Sequence, residues 1–122
     1  MAIHTDLPIH KTSCDLLGVA IEAAKHMPRD FKSTLGVEIR KECIAIVLLI
    51  ARANATKDKV PHIERLLERV DVLQIVMRVC HEKRLVSPKI FADSIELIGS
   101  IGRQAGGWKK SASSPVASPS RR

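Results

Sequence analysis

VPHIERLLERVDVLQIVMRVC, residues 60–80, is the stretch on which the fold turns. Ile63, Leu66, Leu67, Val70, Leu73, Met77 and Cys80 recur every three or four residues, the period of one helix face. Glu64, Arg65, Glu68, Arg69 and Asp71 fill the opposite side, so a solvated face is expected there, with Arg65 and Glu68 as the nearest pair. Pro61 falls in the first turn, where an amide would have no partner anyway. A helix is predicted from about Val60 to Lys83.

Working toward the N-terminus, the polar run Asn54–Lys59 reads as a turn, and before it lies a second helical stretch, about Ser33 to Ala53. Leu35, Ile39, Cys43, Ile46, Ile50 and Ala53 form its stripe. Ile44, Val47, Leu48 and Ala51 extend the apolar surface so far round that part of it is expected to lie against another subunit. The first helix is predicted from Pro8 to Met27, with Ile9, Leu16, Leu17, Ala20, Ile21, Ala24 and Met27 facing inward, and Pro28 ends it. Toward the C-terminus, Ser87-Pro88 is a cap followed by an N1 proline. The fourth helix carries Phe91, Ile95, Ile98, Ile101, Gly102, Ala105 and Trp108 inward and is expected to end near Gly106-Gly107. Four helices joined by short connections predict an all-α, antiparallel up-down four-helix bundle. Residues 1–110 form the bundle domain, and 111–122, SASSPVASPSRR, are expected to be a disordered tail.

Composition agrees. Hydrophobic residues make up 45% and aromatics only 2% of 122 residues, so the core is aliphatic. The longest apolar run, Cys43 to Ala51, is far short of the ~20 residues of a membrane span. The opening MAIHTDLPIH lacks the features of a secretory signal. A cytoplasmic location with no membrane contact is expected, and Cys14, Cys43 and Cys80 read as buried reduced thiols.

Motifs for chemistry are lacking. His10 and Cys14 share a helix face, but nothing nearby completes a metal site. Gly102 to Ser111 resembles a phosphate loop, yet Trp108 stands where the lysine belongs and a helix precedes it where a strand is required. Gly99, Gly102 and Gly106 instead predict a close approach by another helix. No nucleophile elbow occurs. A non-enzyme is expected, with no metal, no cofactor and no catalytic residue.

The net charge of +7 is uneven: Arg103, Lys109, Lys110, Arg121 and Arg122 fall in a terminal stretch without acids, while the remainder carries only +2. Such an imbalance points to a polyanionic partner. Lys25, Arg29 and Lys32 flank the first turn, Arg40 and Lys41 follow on the second helix, and Arg52 sits near its far end. The end of the fourth helix is expected at the same end as the first turn, gathering Lys25, Arg29, Lys32, Lys109 and Lys110 into one region. Such a patch would neutralise phosphates without reading bases, and with so few aromatics base stacking should contribute little.

Met27-Pro-Arg-Asp-Phe-Lys32, Thr34-Leu-Gly36 and the Ile39-Arg40 helix occur in an order that resembles the accessory variability determinant (Avd) proteins of diversity-generating retroelements. Arg52-Ala-Asn54, Ile63-x-x-Leu66 and Ile101-Gly-Arg-Gln-Ala-Gly-Gly-Trp108 extend the likeness over about Asp6 to Ser111. Four-helix proteins encoded in ribosomal RNA intervening sequences share the pattern more loosely. The resemblance implies a homopentamer of bundles. It also implies a nucleic-acid-binding accessory subunit of a reverse transcriptase, supporting mutagenic cDNA synthesis from template RNA, with RNA and also DNA as ligands. Within the matching segments it carries over Arg29, Lys32, Arg40, Arg52 and Arg103. The alternative is a four-helix scaffold or interaction protein with no polymerase partner.

Overall fold

A computed structural model describes residues 3–113. Within them the chain is helical, without a strand. A short 3-10 turn, His4–Asp6, leads into α1, Pro8–Lys25. A helical turn, Arg29–Phe31, and a wide π turn, Lys32–Gly36, run on into α2, Val37–Ala55. Helix α3 is Val60–Glu82 and α4 is Pro88–Ser113. Helix α1 packs on α2 and α4, and α3 packs on the same two, so the four close into a ring. Gln104 of α4 donates to Thr12 Oγ1 near the start of α1 at 3.1 Å, and Lys109 of α4 pairs with Glu64 near the start of α3 at 3.2 Å. The bundle is therefore the expected antiparallel up-down one.

Ile39, Ile46, Ile50, Ile63, Leu66, Leu73, Met77, Ile98 and Ile101 are fully buried along its axis. Each such aliphatic side chain contributes roughly 1.5–3 kcal/mol relative to exposure. Helix α1 meets them mostly with small residues, Ala20, Ala23, Ala24 and Ser13. The two buried serines, Ser13 and Ser94, satisfy their hydroxyls within their own helices, donating to His10 O and Phe91 O, each at 2.7 Å.

Punctuation follows the sequence. Ser87 Oγ accepts from Ile90 N at 3.1 Å as the cap of α4. Lys59 Nζ donates to the carbonyl oxygens of Ala53, Asn54 and Thr56, at 3.1, 3.2 and 2.8 Å, and so closes the C-terminus of α2.

Several expectations are corrected. Ile21 is 48% exposed and Ala23 takes the inward position, so the buried face of α1 is rotated from the predicted one. Helix α4 continues through Gly106-Gly107 to Ser113, because two glycines cost helix propensity without forbidding the conformation. The remainder of the expected tail lies outside the described residues. Among the described residues, a side chain at Gly102 or Gly106 would meet nothing within 4 Å, and one at Gly99 would meet only Arg103, so no described helix exploits these glycines. Gly36 does serve close packing, since a Cβ there would stand 3.1 Å from Ala24 Cβ. Cys43 and Cys80 are buried as expected, but Cys14 is exposed. Burial, helped by the neighbouring Glu42 charge, pushes the Cys43 thiol up to about 12, and burial raises Cys80 as well.

Candidate nucleic-acid interface

The first turn begins at Pro28, whose carbonyl accepts from Phe31 N at 3.0 Å and Lys32 N at 2.9 Å. Helical geometry thus starts at Arg29, earlier than the predicted Ser33. The π turn that follows inserts extra backbone, a local widening often found where a helix serves a function. Gly36 lets this wide segment lie against the end of α1. Around it Lys25, Arg29, Asp30, Phe31, Lys32, Ser33 and Thr34 are all exposed. Phe31, one of three aromatics in the chain, is 42% exposed beside these cations, a stacking surface that composition alone discounted.

Lys25, Arg29 and Lys32 have no ion-pair partner among the described residues. Arg40 is half-buried and likewise unpaired, while Lys41 sits 3.9 Å from Glu38. The acids nearest in sequence at this end are Glu22, which faces His26 at 3.5 Å, and Asp30. The fold thus brings Lys25, Arg29, Lys32, Arg40 and Lys41 to one end of the bundle, where Glu22, Asp30 and Glu38 also stand, and of the five bases only Lys41 has an ion-pair partner among the described residues.

Arg52, Arg103, Lys109 and Lys110 are not with them. The Lys109–Glu64 and Gln104–Thr12 contacts fix the end of α4 beside the starts of α1 and α3. Arg52, near the end of α2, belongs to that opposite end, roughly 30 Å away by helix rise. The expected gathering of Lys109 and Lys110 with the first turn is overturned. A fourth helix of an up-down bundle finishes where the first began, and parity alone demands this separation. What the sequence reading missed is that the α3–α4 corner, expected at the first-turn end, supplies Lys83 and Arg84 there, both exposed and unpaired among the described residues. The clustered bases before Leu85 were the available signal.

The face of α3 expected to be merely solvated ties helices together instead. Arg69 Nη1 donates to Glu42 Oε2 of α2 at 3.0 Å, and Glu64 takes Lys109, whereas Arg65 and Glu68 form no ion pair among the described residues. Apolar side chains also remain outside. Ile44 and Leu48 on α2 are 46% and 49% exposed, and Ile75 on α3 is 63% exposed.

No group of His, Cys, Asp or Glu among the described residues could hold a metal ion. His10 and Cys14 do meet, with Cys14 Sγ 3.7 Å from His10 Nε2, but no further ligand joins them. Among the described residues no helix is long and apolar enough to cross a membrane.

No curated protein and no solved structure is similar enough to match the chain. A family model described as bAvd-like matches residues 8–112, nearly the whole bundle. The family comprises non-catalytic accessory proteins associated with reverse transcriptases. With four helices closed as described and a match over most of its length, the chain belongs to the bAvd-like family of accessory variability determinants.

Proposed function

We propose that the chain is the nucleic-acid-binding subunit of a retroelement reverse transcriptase complex and supports mutagenic cDNA synthesis from template RNA. The polymerase performs the chemistry, and this bundle holds the polyanion. The observation that carries the reading is the unpaired state of Lys25, Arg29 and Lys32 around one exposed turn, with Arg40 and Lys41 alongside. Cations without carboxylate partners release phosphate counterions on binding without first breaking an ion pair. RNA is the first ligand and DNA a second, because phosphate contacts do not distinguish them. Arg52, Arg103, Lys109 and Lys110 at the opposite end form a separate and weaker contact region.

A homopentamer is part of the same proposal. Ile44, Leu48 and Ile75 are large apolar side chains that the described residues leave about half or more exposed, and an assembly of copies would bury them. The cytoplasm, where a polymerase and its template RNA meet, is the compartment this role requires.

The test uses the full chain with its cognate polymerase. Arg29→Glu, Lys32→Glu and Arg40→Glu together should abolish salt-sensitive RNA binding and lower cDNA yield while helical circular dichroism is retained. Undiminished RNA affinity at low salt in this triple variant would remove the proposed interface. A polymerase complex that forms and copies equally well without the protein would remove the role.

A further inference from the structure

The first-turn end of the bundle contains a hollow as well as charge. The α3–α4 corner turns through Arg84, at φ 59°, and is tied back by Leu85 N donating to Cys80 O at 2.8 Å. Between this corner and the end of α1 lies a cavity of about 660 Å³, walled by Ala23, His26, His81, Arg84, Val86 and Ile90. Its volume is in the range of sites that enclose a small molecule. The His81 ring lies flat on Phe91, centroids 4.1 Å apart and planes within 4°, so the part of it that lines the cavity is held in place. The walls are thus aliphatic with two imidazoles, the kind of surface on which a flat heteroaromatic ring rests well.

Arg84 lines the cavity and Lys83 precedes it at the corner, while on the α1 side Lys25 is the neighbour in sequence of the lining His26 and Arg29 lies three residues beyond. None of the four has an ion-pair partner among the described residues. Glu82 is the one acid in the wall, and Glu22 is turned to His26. An apolar peptide would draw nothing from those cations. A single-stranded nucleic acid would use both features, because its phosphates alternate with bases that are free to leave the stack.

We propose that this cavity accepts one unstacked nucleobase of a single-stranded nucleic acid, with the flanking phosphates held by Lys25 and Arg29 on one side and Lys83 and Arg84 on the other. The inference rests on the nucleic-acid-binding reading above and adds a strand form and a position to it. A duplex is disfavoured because its base would first have to be unpaired and extruded.

The test compares RNA and DNA single strands of about fifteen nucleotides, a length suited to such grooves, with the duplex of the same sequence at one salt concentration. Single strands should bind about tenfold more tightly than duplex, the size expected of one base–side-chain stack. Photo-crosslinks from 4-thiouridine in the RNA strand should map to residues 81–90. His26→Ala with Arg84→Asn should weaken single-strand binding about tenfold and duplex binding only about two- to threefold, the loss of one phosphate contact, with helicity unchanged, asparagine being tolerated at positive φ. Equal affinity for both forms, crosslinks confined to other segments, or equal weakening of both forms by the double variant would each overturn the base site. The charge-driven interface would survive those outcomes, provided that reversing Arg29, Lys32 and Arg40 still reduced affinity. Failure of the wild-type chain to bind any of the three probes would instead remove the functional reading itself.

Discussion

The two ends of the bundle hold the same residue types and use them differently. At the first-turn end, Lys25, Arg29, Lys32, Lys83 and Arg84 stand in solvent with no ionic partner among the described residues. There only Lys41 and Lys89 pair, with Glu38 and Asp93, whereas at the opposite end, although Arg52 and Lys110 are also unpaired among the described residues, several cations are committed to the fold. Lys59 spends its three protons on the last carbonyls of α2, Lys109 joins α4 to α3 through Glu64, and Lys11 pairs with Asp15 at 3.1 Å. Net charge therefore says little about where a polyanion binds; what matters is which cations the helices have left uncommitted.

Reversing charge at each end in turn is the strongest way to break this contrast. Lys25→Glu, Arg29→Glu and Lys32→Glu together should cost about a hundredfold in RNA affinity near 50 mM salt, measured by fluorescence anisotropy. Arg52→Glu with Lys110→Glu should cost only a few-fold. Equal losses from both ends would dissolve the distinction.

A smaller effect concerns the shape of the free end. Gly36→Val places a branched side chain where a Cβ already stands 3.1 Å from Ala24 Cβ, and overpacking of this kind costs about 2 kcal/mol. Denaturant unfolding should show that loss. A neutral outcome would mean that the π turn is not held against α1 as described.

The committed end should respond in stability and not in binding. Lys59→Met is expected to cost about 1–2 kcal/mol, because three carbonyls lose their donor while RNA affinity stays within error. Smallest of all is the α2–α3 tie. A double-mutant cycle on Glu42 and Arg69 should return a coupling of roughly 0.5–1 kcal/mol, since the Arg69 side chain remains 44% exposed.

Much of the architecture could be read from punctuation. Pro8, Pro61 and Ser87-Pro88 mark helix starts, and the structure begins its helices at or beside them. Of the stripe Ile63, Leu66, Leu67, Val70, Leu73, Met77, Cys80, all are buried but Leu67, which is half-buried against the core. Reading failed where several solutions share one local pattern. Ile21 and Ala23 compete for the face of α1, and the smaller residue wins because a neighbouring helix must come close. Gly106-Gly107 looked like a stop but sits in a helix whose far side needs no side chain. The π turn leaves no periodic signature, since it is a local widening fixed by Pro28 before it and the packing of Gly36 on Ala24.

The interface was legible in part, for a related reason. Lys25, Arg29 and Lys32 are local to one turn, so sequence proximity sufficed to group them. Lys109 and Lys110 could be placed only by counting helices, and the count sends them away. Lys83 and Arg84 needed the same count to be brought in. The role of Lys59 depends on three carbonyls aligned by folding, and nothing in a polar turn announces it.

Cys14 carries a practical consequence. Two of the three thiols are shut inside the bundle, one held protonated far into the alkaline range, and the third stands in the open on the first half of α1. A maleimide dye added to the folded protein at neutral pH will therefore mark a single known address, on the half of α1 away from the first turn. From that address, energy transfer to a labelled polymerase or RNA would report which end of the rod each partner has taken, without altering a single residue.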